Sequence, residues 1–193
     1  MPRLFCAIAI PSSPAEQIAD ICYGLSGARW CSLTQLHLTL CFLGTVPDAQ
    51  VVGVLEALDT VATPGFELSC TGVGFFPPRK PVRTLWIGCS PCAPLSSLQR
   101  SIALALRRGG IAIDGRRFHP HITIARFRHP PPPELIAPYL GANALFSPPP
   151  FWVDRFHLFS SRLTPQGPAY TCEETFRLDS PDNESDDAPR THQ

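Results

Sequence analysis

RFHPHITIARF, residues 117–127, predicts the architecture of the chain, because LHLTLCF, residues 36–42, repeats its central pattern. Both copies read His-x-Thr-x with an aliphatic residue at each x. Successive side chains of a strand point to opposite faces, so the His and Thr of each copy share one face and the two aliphatic residues share the other. Two such strands brought together present two imidazoles and two hydroxyls to one groove.

This arrangement suits acid–base chemistry on a phosphate ester. One imidazole can be neutral and accept a proton from water, while the other is charged and donates a proton to a leaving alkoxide. His37 and His121 are therefore the candidate catalytic pair. Thr39 and Thr123, on the same strand faces, are candidates to hydrogen-bond the non-bridging phosphate oxygens. Such a site needs no nucleophilic side chain, and neither a metal nor another cofactor is expected.

Arg126 follows the second copy and is a candidate phosphate ligand. A straight strand turns it to the face opposite Thr123, so its reach to the phosphate requires a bulge, a strong twist or the strand end. There, its guanidinium could offset the charge that builds on the phosphoryl oxygens. Leu43 is taken as the corresponding residue of the first copy, which predicts a site that is asymmetric in charge.

Composition predicts one globular domain, or two small packed lobes, of 193 residues with 44% hydrophobic content. The formal charge is zero, but residues 179–193 hold five acids and one base, so the preceding body is mildly positive. A mildly positive body suits a small anionic substrate better than extensive duplex binding. The acidic tail is poor in apolar residues and is expected to be disordered.

No signal peptide is recognisable at the start of the chain, and no apolar run approaches the roughly 18 residues of a membrane span. The eight cysteines lie mostly in apolar contexts and are interpreted as reduced thiols of a cytoplasmic protein. We expect a monomer. Cys89 and Cys92 form a lone C-x-x-C, and His119 and His121 are separated by Pro120 without an evident third ligand, so metal binding is disfavoured at both places.

Hydrophobic periodicity and chain breakers predict the element order βαβαββαβαββ. The first helix is predicted from an N-cap at Ser13 to about Leu25, and residues 66–73 and 152–160 are each predicted as one strand. The two His-x-Thr strands lie 84 positions apart among similar neighbours. A duplicated α+β unit is the simplest interpretation, with the two signatures facing each other across a pseudo-twofold axis.

The paired signatures, with Arg126 after the second, resemble the 2H phosphoesterase superfamily. Within it, they are most similar to the bacterial and archaeal RNA 2′,3′-cyclic phosphodiesterases, once called 2′-5′ RNA ligases. The likeness extends from residue 1 to about residue 178. It is carried further by RLFCAI at 3–8, Trp30, HLTLCFLG at 37–44, LWIG at 85–88, FHPHITIAR at 118–126, LFSS at 158–161 and Tyr170.

The resemblance implies an α+β, bilobal duplicated fold in which two antiparallel β-sheets, flanked by helices, surround a central groove with pseudo-twofold symmetry. Residues 1–178 form one such domain, and residues 179–193 form the acidic tail. It also implies hydrolysis of a terminal 2′,3′-cyclic phosphate on RNA 3′ ends or small cyclic nucleotides to a 2′-phosphate. The residues carried over are His37 and His121 as the acid–base pair, and Thr39, Thr123 and Arg126 as phosphate binders.

Two other functions remain open from the residues alone. The chain could bind RNA ends or a nucleotide without turnover, or it could apply the same chemistry to another small cyclic phosphate. Which histidine is the acid and which the base does not follow from the sequence, because the groups are equivalent until the substrate is oriented. Base stacking has several candidates among the aromatic residues: Phe5, Phe42, Phe75, Phe118 and Trp152.

Overall fold

A computed structural model describes residues 1–76, 81–165 and 167–180, which form ten strands and four α-helices. The strands are β1 Arg3–Ala9, β2 Ala28–Trp30, β3 His37–Thr45, β4 Phe66–Leu68, β5 Cys70–Phe76, β6 Thr84–Cys89, β7 His121–Phe127, β8 Phe151–Val153, β9 Arg155–Thr164 and β10 Gly167–Arg177. The helices are α1 Ser12–Asp20, α2 Val51–Asp59, α3 Ala93–Arg108 and α4 Pro133–Ala142.

Two antiparallel sheets organise the chain, as expected for an α+β fold. Eight strands form the larger sheet, in the order β10-β9-β1-β3-β7-β6-β5 with β2 paired to β7, and β4 and β8 form the smaller one. Leu38 and Ile122 are the pair that joins β3 to β7. The strands around both signatures therefore belong to one sheet, whose two parts are joined at this pair. The two halves of the duplicated unit do not form one sheet each.

The duplication is visible in the order of the elements around this pair. The first half contains β1, α1 and β3, and the second contains β6, α3 and β7, so that each His strand pairs with the strand that precedes its helix. The first seven residues of β3 and all seven of β7 also share one burial pattern. The first four residues alternate between half-buried and buried, and the next three are buried, exposed and buried. The two signatures therefore occupy equivalent places.

The aliphatic residues of both signatures lie in the core. Leu38, Ile122 and Ile124 are fully buried and Leu40 nearly so, in the same cluster as the apolar stripe of α3. Burying one such side chain stabilises a fold by about 1.5–3 kcal/mol. This apolar packing holds the two strands in place and leaves the opposite faces, with His and Thr, free for chemistry.

Several predicted boundaries were wrong. Helix α1 follows Pro11 and ends at Asp20, and Ser13 is not its N-cap. The predicted strand at 66–73 is interrupted at Ser69, and the one at 152–160 is interrupted at Asp154, so that β4 and β8 leave the larger sheet and pair with each other. Apolar alternation continues across Ser69, so the sequence pattern shows no break there. At Asp154 the buried positions shift by one residue, from Phe151 and Val153 to Phe156 and Leu158, which one continuous strand does not reproduce.

Other sequence expectations concern the cysteines and the chain end. All eight cysteines are free thiols, of which four are buried and one is exposed, and the sulfur nearest to Cys89 is that of Cys70 at 3.4 Å. Asp179 exchanges backbone hydrogen bonds with Thr63 and Gly65. Residues 181–193 of the acidic tail lie outside the described residues. Within the described part of the chain, no helix combines the length and apolar character that crossing a membrane requires.

Candidate active site

His37 and His121 are the first residues of β3 and β7, and each ring is held in the same way. Nδ1 of His37 lies 2.7 Å from the carbonyl oxygen of Gln35, and Nδ1 of His121 lies 2.6 Å from that of His119. A carbonyl can only accept, so Nδ1 donates in both cases and the neutral rings carry their lone pair on Nε2. The carbonyl two residues before each histidine thus selects one tautomer.

The sheet register brings the two signatures together. Because Leu38 pairs with Ile122 in antiparallel fashion, the next positions along the strands set His37 opposite Thr123 and Thr39 opposite His121. The two imidazoles are close enough for charge on His121 to lower the pKa of His37. Two imidazoles and two hydroxyls therefore share one face of the sheet.

A β-bulge lies at the last residue of each signature. In the β6–β7 pair, Trp86 is opposite Thr123 and Leu85 is opposite Ala125, so that Ile124 is an extra residue. In the β1–β3 pair, Ala7 is opposite Thr39 and Cys6 is opposite Cys41, and the extra residue is the equivalent Leu40. One extra residue reverses the facing of every side chain that follows it.

The bulge turns Arg126 to the face of His121 and Thr123. Ile124 and Ala125 are both buried, and Arg126 is exposed, as this reversal requires. Counting from the two histidines also corrects one correspondence: the residue equivalent to Arg126 is Phe42, not Leu43. Phe42 is exposed on β3, so the first half has a phenylalanine at the position where the second half has an arginine.

The charges that act on the two imidazoles come from basic groups. The pKa of His37 is lowered to about 4: burial lowers it most, the hydrogen bond to the Gln35 carbonyl raises it, and the charges of Arg126 and His121 lower it. For His121, burial again lowers the pKa most, the bond to the His119 carbonyl raises it, and His119 and Arg126 lower it. An anion bound here would relieve this repulsion.

Aromatic rings surround each histidine, and sequence reasoning assigned no role to most of them. His37 contacts Phe5 and the edge of Tyr170, each at 5.1 Å between ring centroids. Burial raises the pKa of Tyr170, and a side-chain hydrogen bond from Arg126 is among the causes that lower it, which indicates that Arg126 approaches this end of the groove. His121 meets the ring of Phe76 at 5.0 Å.

Trp86 is packed against the backbone of Gly74, and this contact predicts a sensitive position. A Cβ at Gly74 would lie 2.2 Å from the Trp86 ring. We expect Gly74→Ala to destabilise the fold by about 1–3 kcal/mol, because a fixed indole cannot yield in a packed site. Thermal denaturation measures it. Gly53→Ala, in α2 with nothing within 4 Å of the added Cβ, is the matched control and is expected to raise the melting temperature.

No metal centre accompanies these groups in the described ranges, since no three His, Cys, Asp or Glu side chains cluster there in a way that could hold an ion. What the site offers is two imidazoles with Nε2 available, two hydroxyls and a guanidinium. These groups can move protons and bind an anion. They fit a reaction in which water is deprotonated, a leaving oxygen is protonated and negative charge is stabilised.

Comparison with known proteins gives consistent matches over most of the chain. A family model described as the 2′-5′ RNA ligase superfamily matches residues 10–164. The RNA 2′,3′-cyclic phosphodiesterase of Thermotoga maritima is 32% identical over 176 residues, which cover 87% of this chain and 91% of that protein. The protein of the same name from Archaeoglobus fulgidus is 32% identical over 171 residues, or 87% of this chain and 96% of that protein.

Solved structures agree with these matches. The protein TT0787 of Thermus thermophilus superimposes with a TM-score of 0.77 at 25% identity, covering 91% of this chain and 97% of that one. Escherichia coli LigT in apo form gives a TM-score of 0.73 at 26% identity, covering 92% and 97%. LigT complexed with 3′-AMP gives 0.71 at 26% identity, again with 92% and 97% covered.

Proposed function

Since the chain belongs to the 2′-5′ RNA ligase superfamily, we propose that it hydrolyses terminal 2′,3′-cyclic phosphates on RNA or nucleotides to 2′-phosphates, using two histidines and no metal. The observation that carries the proposal is the pair of imidazoles, each with Nδ1 fixed by a carbonyl, in a groove whose nearby charges are positive. The related phosphodiesterases of Thermotoga and Archaeoglobus support the substrate class.

In the proposed reaction, one Nε2 accepts a proton as water attacks phosphorus. A new P–O bond forms, the bond from phosphorus to the 3′ oxygen breaks, and the second Nε2–H protonates that oxygen. The 2′-phosphate leaves, and proton exchange with solvent restores both rings. We assign His37 as the base and His121 as the acid, because burial and nearby positive charge hold the pKa of His37 down to about 4, which keeps its Nε2 lone pair available.

Thr39, Thr123 and Arg126 complete the proposed site. Each threonine lies opposite the histidine of the other half, where its hydroxyl can donate to a non-bridging oxygen. Arg126, turned to the same face by the bulge, supplies positive charge where the phosphoryl oxygens gain negative charge. The site would then hold the phosphate from both halves of the sheet.

A panel of cyclic phosphates tests the proposal. The purified protein is assayed for kcat/KM on 2′,3′-cyclic AMP, on an RNA ending in a 2′,3′-cyclic phosphate, on an ADP-ribose cyclic phosphate and on 3′,5′-cyclic AMP. The two 2′,3′-cyclic substrates should be hydrolysed fastest. A preference for the ADP-ribose substrate would indicate the same reaction on a different small molecule. Tight nucleotide binding without product would indicate a binding module.

The pH dependence of kcat/KM should be bell-shaped with its maximum below about pH 6.5. It reports the free protein, in which the pKa values of His37 and His121 are both lowered, so the base titrates near pH 4 and the acid below its usual range. A bound phosphate raises both pKa values, because negative charge favours the protonated rings. The kcat profile should therefore lie at higher pH than that of kcat/KM, and coincident profiles would contradict the proposal.

A further inference from the structure

Phe42 is an exposed aromatic residue on the same strand face as His37, and the proposed reaction does not use it. Its side chain is 42% exposed, whereas Phe5 beside it is only 3% exposed. The ring of Phe5 contacts both His37, at 5.1 Å, and Phe42, at 6.0 Å. Phe42 therefore lies on the groove face, beyond Phe5, at the position equivalent to Arg126.

Arg116 places a guanidinium over this ring. Its Cζ lies 5.8 Å from the Phe42 centroid, and its side chain is 80% exposed. Asp114 holds it there: Nε of Arg116 donates to Oδ2 of Asp114 at 2.8 Å, and the backbone N–H of Arg116 donates to Oδ1 at 2.9 Å. The backbone N–H of Asp114 in turn donates to the carbonyl of Phe42 at 2.9 Å, which fixes the segment to β3.

The cation at this ring is the Arg116 guanidinium, which is paired with the Asp114 carboxylate. Arg117, the next residue, is also exposed. An exposed aromatic ring with a guanidinium over it is a combination that single-stranded nucleic acid uses, with a base stacked on the ring and a phosphate paired to the basic group.

The hairpin of β9 and β10 reaches the region of His37. The Gln35 side-chain amide donates to the carbonyl of Pro168 at 2.7 Å, and Tyr170 packs against both His37 and Phe5, at 5.1 and 5.2 Å between ring centroids. Phe42, by contrast, is 42% exposed, so a polynucleotide whose 3′ end reaches the histidines can pass over its ring.

We infer that Phe42 and Arg116 form a subsite for the nucleotides that precede the terminal one on a single-stranded RNA. A base stacks on the exposed part of the Phe42 ring, and Arg116 pairs with a backbone phosphate through Nη1, which Asp114 does not engage. The inference builds on the proposed function, because it extends the same groove, but it concerns the affinity for RNA chains and not the hydrolysis step.

The test compares the binding of a long and a short ligand, so it does not depend on turnover. Fluorescence anisotropy gives Kd for a labelled pentaribonucleotide with a 2′-phosphate at its 3′ end, and competition gives Kd for 2′-AMP. We expect Phe42→Leu to raise the pentamer Kd at least about fivefold, because a base loses its stacking platform, with 2′-AMP changed less than about twofold. Phe42→Tyr keeps a ring and should bind like the unmodified protein.

Arg116→Ala should weaken the pentamer in the same selective way and should lower the slope of log Kd against log salt by about 0.7, the value for one phosphate contact on a single strand. Arg100→Ala removes an equal charge from the exposed side of α3 and is the matched control, with an unchanged slope. If Arg116→Ala lowers the melting temperature but leaves the pentamer Kd and slope unchanged, the ion pair is structural and the inference is wrong.

Equal weakening of 2′-AMP and the pentamer by Phe42→Leu would also overturn the inference, because it would place Phe42 at the terminal nucleotide. The two proposals fail separately. Absence of hydrolysis by the unmodified protein refutes the proposed function and leaves the binding comparison valid, whereas an unselective binding result refutes the subsite and leaves the hydrolysis intact.

Discussion

His37→Ala and His121→Ala are each expected to lower kcat on 2′,3′-cyclic AMP by at least about 10²-fold. Each substitution removes either the group that accepts the proton of water or the group that protonates the leaving oxygen. The double variant should be little slower than the slower single variant, because the two groups act in one step and their effects are not additive. Initial rates at saturating substrate measure the effect.

His129→Ala is the matched control, since His129 is an exposed loop residue after β7. It should retain the unmodified rate. Melting temperatures of the three single variants separate lost chemistry from lost folding, because His37 and His121 also pack against aromatic rings. Full activity of a folded His37→Ala or His121→Ala protein would refute the two-histidine mechanism.

Arg126→Ala should produce the second large loss, about 10²–10³-fold in kcat, comparable to the removal of one preorganised donor at a developing oxyanion. The physical reason is that the bulge at Ile124 turns the guanidinium to the face of the two histidines, where the proposed site holds the phosphate, and neutral water cannot supply its charge. Arg126→Lys keeps the charge without the planar fork of donors and should recover part of the rate.

The division of the loss between kcat and KM tests the role of Arg126. Stabilisation of the transition state predicts that kcat falls more than KM rises, whereas simple attraction of an anion predicts a change in KM alone. Arg100→Ala, which removes an exposed charge from α3, should leave both constants unchanged. An unchanged kcat in an Arg126 variant would show that Arg126 does not stabilise the transition state.

The sequence was sufficient to predict the faces of the two central strands. The alternation in residues 37–40 and 121–124 separates polar from apolar side chains, and burial of Leu38, Leu40, Ile122 and Ile124 follows that separation. The start of β7 was also predictable, because Pro120 lacks the amide that a ladder needs and leaves His119 outside the strand.

The bulges were not predictable, although they decide where Arg126 points. Leu40 and Ile124 are ordinary β-formers, and an extra residue is a property of the pairing with β1 and β6, which a single sequence does not display. The carbonyls of Gln35 and His119 left no signal either, because every residue has a carbonyl. Tyr170 on β10 comes close to His37 on β3 because of the strand order β10-β9-β1-β3. Strand order is a property of the sheet topology, and the local sequence pattern does not show it.

Metal-independent hydrolysis is tested by phosphorus-31 NMR of 2′,3′-cyclic AMP incubated with the purified protein in excess EDTA. The cyclic phosphate signal should be replaced by that of 2′-AMP at a rate that the chelator does not change. An unchanged substrate signal, conversion to 3′-AMP, or activity that disappears with EDTA and returns with a divalent cation would contradict it.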